Sequence, residues 1–194
     1  MSRSRRTDRY GGPRGGLAAV EFALVAPFII MVMLAGTDLT IFMRTMMRVD
    51  ETASETSLAV TQYQSLYDSD LTYLFNAAQT VAGTTPVTGL IGATIITGII
   101  SSGGRQTIAW QRLSPSATFS SQFGTAIGSA PNLPNNYLLP SGGTLIAVEV
   151  FTTATPWILS ASLLSGSGVT SIRSYALYQP RLGSLSAITP GNRP

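Results

Sequence analysis

The sequence predicts an α+β protein in which a long N-terminal helix, transmembrane at its start, leads into a small antiparallel β-sheet domain. Three observations carry that expectation. Residues 17–37 are apolar apart from Glu21 and Thr37. Residues 38–67 contain no Gly or Pro and repeat their core-type positions at intervals of three and four, the period of a helix with one packing face. After Gly83 the composition turns to Ser, Thr, Gly, Val and Ile, which favours strands and turns. The implied division is a basic leader at 1–16, a transmembrane helix at 17–37, its extension at 38–67 and an extracytoplasmic α+β domain at 68–194, with a mobile loop at 114–143.

The leader holds Arg3, Arg5, Arg6, Arg9 and Arg14 against Asp8. The rest of the chain carries seven Arg against eight acids, so the basic character sits in the tail. A basic tail suits nucleic acid, but an apolar span follows this one, and the tail reads as a topology signal that keeps the N-terminus inside. No nucleic-acid partner is expected. The 21 residues of the span, at about 1.5 Å each, cover the ~30 Å hydrocarbon core of a bilayer. A cleaved secretory signal has a shorter apolar run and a small-x-small site. Met33-Leu34-Ala35 is a poor site of that kind, so the helix is expected to stay in the protein, in contact with membrane lipid. A second apolar run, Gly89–Ile100, has twelve residues, enough for a strand and too few for a crossing.

In the extension, Leu39, Phe42, Met46, Val49, Ala53, Thr56 and Val60 form the stripe. It suits packing on the protein's own sheet or on partner helices. Arg48 and Glu51 stand at the i,i+3 spacing of an ion pair. Continuous helix from Leu17 to about Gln64 would be roughly 70 Å long. Asp68-Ser69-Asp70 reads as a turn and cap before a second helix that Gly83 ends, with Leu71, Leu74, Phe75 and Ala78 on its core face. Ala93–Ser101 and Gln106–Leu113 read as a hairpin about Ser102-Gly103-Gly104-Arg105. Residues 114–143 hold four Pro and four Gly and read as a long loop with one helical turn near Phe119–Ile127. Leu145–Ala154 and Val169–Gln179 complete four strands. The connection between these two carries an apolar patch, Trp157-Ile158-Leu159.

The chemistry is bounded by absences. The sequence has no His, Cys or Lys, and its twelve basic residues are all Arg. That excludes a phosphate loop with its Lys, a Ser-His-Asp triad, a Cys nucleophile, a thiolate or imidazole zinc site, and a disulfide. Asp68 and Asp70 alone are too few ligands for calcium. No catalytic residue, metal or cofactor is expected, and the protein is read as a non-enzyme. Trp110 and Trp157 suit a core or membrane-edge place better than a binding surface. Glu149 lies in the apolar run Ala147-Val148-Glu149-Val150-Phe151 and is expected on the exposed face of an alternating strand, with pairing to Arg112 or Arg173 as the more specific option.

Glu21 asks for a reason, because an ionisable group inside an apolar span is costly unless it is paired. It either snorkels to the headgroups or takes part in something its context specifies. That context is Arg14-Gly15-Gly16-Leu17-Ala18-Ala19-Val20-Glu21-Phe22: a basic leader ending in Gly, and a Glu five places on. This resembles the class III signal of the type IV pilin superfamily. The stretch Gly16 to Pro27, with Val-Glu-Phe-Ala, a Pro six residues after the Glu and Gly36 near the outer end, is similar to the TadE-like pseudopilin family of the tight-adherence (Tad/Flp) pilus, over roughly residues 14–60. Ile108–Arg112, Leu145–Phe151 and Tyr178-Gln-Pro-Arg181 are similar to the extracytoplasmic part of TadE/TadF relatives. Where the family commonly has an acid and a Gly after the span, this chain has Gly36-Thr-Asp38, so both subfamilies stay open.

The resemblance implies a pilin-like fold and cleavage by a prepilin peptidase between Gly16 and Leu17. Glu21 then becomes the fifth mature residue and pairs with a new N-terminal ammonium. Pro27 is either an ordinary transmembrane proline or a bend that aids packing. The implied partners are the prepilin peptidase, a companion minor pseudopilin, the major Flp-type pilin and the inner-membrane assembly platform. The implied place is the bacterial inner membrane, domain outward, with entry into the pilus open. The rival expectation is an uncleaved signal-anchored periplasmic binding or scaffold protein.

Overall fold

A computed structural model describes residues 14–82, 92–114, 119–154 and 170–193, with side chains described from Gly16 onward except at Ala154 and Thr170. The elements are α1 (Arg14–Thr61), β1 (Leu66–Tyr67), α2 (Asp68–Ala82), β2 (Gly92–Ser102), β3 (Arg105–Ser114), β4 (Thr144–Ala154), β5 (Thr170–Tyr178) and β6 (Ile188–Thr189). The fold is α+β with a spine helix, as the sequence predicts. β2–β5 form one antiparallel sheet in the order β3-β2-β4-β5, and β1 pairs with β6 in parallel.

The 48 residues of α1 give a rod about 72 Å long. Its N-terminal side chains are exposed and apolar, and the helix is long and apolar enough to cross a membrane. Thr37 and Thr40 return their hydroxyls to the carbonyls of Met33 (3.0 Å) and Gly36 (2.8 Å), which satisfies them without water. Burial begins at Asp38, and Val49, Ala53, Thr56 and Val60 are covered. The predicted stripe therefore holds in its C-terminal half, where it packs on the protein's own sheet across β4 and β5. Leu39 and Met46 stay exposed. The Arg48–Glu51 pair does not form among the described residues.

The helix stops at Thr61, short of the expected Gln64. Its last turn tightens through Gln62 N–H to Ala59 O (3.2 Å) and Tyr63 N–H to Val60 O (3.3 Å), and the Thr61 carbonyl accepts from Arg181 N–H (3.2 Å). Leu66 and Tyr67 are then free to pair with Ile188 and Thr189. Neither short strand was legible in the sequence, because each has two residues and exists only through the other.

α2 buries Leu71, Leu74, Phe75 and Ala78 as expected, with Ala82 and Asp70. The strands fall within a residue or two of their expected bounds. Gly103 and Gly104 both have positive φ, 60° and 78°, which the two-residue turn between β2 and β3 requires. Opposite Gly98 the register shifts, a bulge that reverses which residues of β3 face the helices. The connection with Trp157-Ile158-Leu159, and Val169, lie outside the described residues.

The sheet is covered on both faces. Ile96, Trp110, Ile146, Val148, Val150, Ile172 and Ala176 pack under α1 and α2. On the other face Ile99, Leu145 and Ala147 meet Phe123, Leu133 and Leu139 from the long loop. That loop, expected at 114–143, is a loop in its described part, 119–143, but the smaller of the two core clusters depends on it. The helical turn expected near Phe119–Ile127 is absent. A single 3-10 turn, Pro134–Asn136, stands later instead, because Phe123 and Leu133 are drawn onto the sheet from either side of Gly124 and Gly128, which have positive φ.

Candidate functional site

Gly16, Leu17 and Glu21 lie on the first turns of α1, and Pro27 lies inside it. The leader residues Arg3, Arg5, Arg6 and Arg9 are outside the described residues, and for Arg14 only its place at the helix start is described. A side chain added at Gly16 would meet nothing within 4 Å. Glycine in a helix is costly relative to Ala by about 1 kcal/mol. Among the described residues there is thus no steric reason for glycine at 16, which carries an intrinsic helix penalty.

Leu17 is exposed and Glu21 is exposed on the same helix. Among the described residues no cation reaches the Glu21 carboxylate. An acid placed in apolar surroundings without a partner of its own needs one from elsewhere, or water. Pro27 removes the donor that would bond the Ala23 carbonyl, yet α1 continues on both sides of it.

The apolar surface of α1 does not end with the span. Leu39, Ile41, Met43, Met46 and Met47 remain exposed on the segment that also begins to pack on the sheet. From Leu17 to Met47 exposed apolar side chains recur over about 46 Å, interrupted by the buried Asp38 and the exposed Arg44, roughly 15 Å more than a bilayer core.

Two ion pairs hold the head domain together. Glu149 is fully buried (0% exposed), which corrects the expectation of an exposed strand face. The loop 119–143 covers that face. Arg173, from β5, donates to Glu149 Oε1 from Nε (2.9 Å) and Nη2 (2.7 Å). Gln122 N–H donates to the same oxygen (3.1 Å), and the Ser121 hydroxyl donates to Oε2. The guanidinium lies over the rings of Phe123, Tyr175 and Phe151. Of the two partners the sequence offered, Arg173 is the one used, because it sits diagonally across the β4–β5 ladder on the same face. Arg112 instead lies 3.8 Å from Asp68 on the surface. This is a satisfied buried pair, which binds loop to sheet. A cleft of about 190 Å³ beside it is lined by Gln122, Phe123, Asn132, Leu133, Pro134, Arg173 and Tyr175.

The second pair was missed by sequence reasoning. Arg193 donates to Asp70 Oδ2 (2.9 Å) and to the Ser65 carbonyl (2.9 Å), over the rings of Tyr63 and Tyr67. Asp70 also accepts from Tyr67 N–H (3.0 Å), closing the start of α2. The Arg193 hydrogen bond, helped by that N–H and opposed by burial, holds the Asp70 carboxyl below its ordinary range. Trp110 sits in the core, as one of its expected places, and its Nε1–H bonds the Leu185 carbonyl (2.8 Å). Residues 181–193 are thereby strapped across the end of α1.

The geometry defines a class: an α+β protein on a single spine helix whose N-terminal part, compatible with a membrane anchor, carries a Gly-Leu pair and an acid that meet no partner among the described residues. Residues 16–57 match the family model described as TadE-like protein. The match begins at Gly16, runs through Glu21 and Pro27, and ends at Ser57 within the buried half of α1. This segment is TadE-like, as the resemblance implied, and the match associates the chain with the Tad pilus. No curated protein and no solved structure matches the chain.

Proposed function

We propose that this chain is a minor pseudopilin, cut by a prepilin peptidase between Gly16 and Leu17, that acts in assembly or initiation of a Tad/Flp-type pilus and catalyses no reaction itself. The observation that carries the reading is the bareness of the first turns of α1: among the described residues, a helical glycine with no steric neighbour, followed by an acid with no charge partner. Recognition by a peptidase supplies a reason for the glycine. A mature N-terminal ammonium supplies a charge for Glu21, since a carboxylate in apolar surroundings is stabilised by an opposite charge within a few ångströms. The exposed collar from Leu39 to Met47 supports packing on a companion minor pseudopilin or the major Flp-type pilin at the assembly platform. The Arg of the leader hold residues 1–16 in the cytoplasm, which puts the sheet domain outside the inner membrane.

The test is the intact mass and N-terminal sequence of the protein from its native membranes. A chain starting at Leu17 in the wild type and at Met1 or Ser2 in Gly16→Leu supports the reading. A wild-type chain that keeps its leader while the peptidase matures its other substrates defeats it and leaves the uncleaved, signal-anchored scaffold.

A further inference from the structure

The methionines of this chain are distributed unevenly. Of the six, Met43, Met46 and Met47 fall within five positions of α1, and no methionine follows Met47. Methionine ordinarily fills gaps in cores. Here the head domain's core is built without one, and these three are exposed at 52%, 47% and 69%. They lie beyond the apolar span, and the burial of Asp38 places them alongside the head domain.

Helix geometry sets them together. Positions i, i+3 and i+4 share one face, with Cβ atoms about 5–6 Å apart. Each side chain has three rotatable bonds ending in a polarisable thioether, so the three can turn toward a shared ligand from neighbouring positions. Asp50 and Glu51 follow within the next turn, both exposed, and Asp50 Oδ1 already accepts from the Ser174 hydroxyl (2.7 Å). Arg44 and Arg48 occupy the adjoining side of the helix, which disfavours a doubly charged ion there more than a singly charged one.

We infer that Met43, Met46 and Met47 form a binding site for a soft monovalent metal ion of the Cu(I) class, coordinated by three thioether sulfurs. Thioethers select Cu(I) over Zn(II), magnesium and calcium. The chain has no Cys or His to compete for the ion, and among the described residues no three Asp or Glu converge into a hard-ion site. The site is independent of leader cleavage, since it lies outside residues 1–17.

The test uses the full chain in detergent micelles. Silver(I) serves as a redox-inert probe in nitrate buffer, and Cu(I) is measured anaerobically by competition with a chromophoric chelator. Methionine methyl carbons are labelled with carbon-13. The expected result is one ion per chain, with methyl shifts confined to Met43, Met46 and Met47. The variant M43L/M46L/M47L, whose side chains keep similar volume, is expected to bind at least about tenfold more weakly. M31L/M33L is expected to bind like the wild type. Circular dichroism checks that the triple variant stays folded. Equal binding by the triple variant, shifts at Met31 and Met33 instead, or no binding by the wild type would each overturn the inference. Displacement of the ion by equimolar zinc would also overturn it, because hard or borderline donors would then be holding it.

Discussion

Glu149 shows how one residue's role depends on what covers it. In sequence it alternates correctly for an exposed strand position. In the fold it is the acceptor on which Arg173, Ser121 and the Gln122 N–H converge. Removing one partner of a buried pair strands the other, so Glu149→Gln should lower stability by about 3 kcal/mol and Ser121→Ala by about 1 kcal/mol. Chemical unfolding of the full chain followed by Trp fluorescence measures both, and a Glu149→Gln loss below that of Ser121→Ala would contradict the assignment. Gly98 is the second decisive position. A Cβ there would stand 2.3 Å from the Trp110 indole, so Gly98→Ala is expected to be destabilising by about 1–3 kcal/mol through overpacking. The same denaturation curve reports it, and the Trp110 emission should shift to the red as the ring is displaced.

At the scale of elements, α1 has two natures that the chain keeps continuous. Its N-terminal part is apolar on all sides, which suits lipid or other helices. Its C-terminal part is apolar on one face, which suits a sheet. The strap at 181–193 secures the end of the second part. Gly183 lies against the Gln64 carbonyl, where a Cβ would come within 2.6 Å, and Arg193 closes on Asp70. The clamp has a pH dependence with a definite sign. The folded Asp70 carboxyl titrates below its ordinary value, so its contribution is complete above the unfolded value near 3.9 and is lost as pH falls through the folded one. Protection factors at residues 185–191, which correct for the intrinsic slowing of amide exchange in acid, should therefore fall below about pH 4, ahead of the sheet, and Arg193→Ala should give that loss of protection at neutral pH. A strap that exchanges with the sheet in one step at every pH would show that the ion pair does not hold it separately.

At the scale of the whole molecule, the buried core starts where the apolar span ends. Residues 17–34 contribute no buried side chain, whereas Asp38, Val49, Ala53 and Val60 are all buried. A chain of residues 38–194 is thus expected to fold as a water-soluble domain with the near-ultraviolet dichroism of the full protein in detergent. Its collar from Leu39 to Met47 keeps exposed apolar side chains, so some self-association at high concentration is expected by sedimentation. Loss of the dichroism would mean that the span supports the head in a way its exposure does not show.

The spine helix, the four long strands, the hairpin and the TadE-like segment are all legible along the chain. These rest on period, length and local motif, which are properties of neighbours along the chain: the apolar run of 17–37, the three-four stripe ending at Val60, and the Gly-Gly turn at 103–104. Tertiary structure alone decided which surfaces those elements share. It chose Arg173 over Arg112 for Glu149, joined Leu66–Tyr67 to Ile188–Thr189, brought Arg193 to Asp70 and made the loop 119–143 part of a second, smaller core cluster. Each of these unites residues far apart in sequence, for which no local period exists. Their energy comes from burial and charge pairing that appear only once the chain has closed on itself.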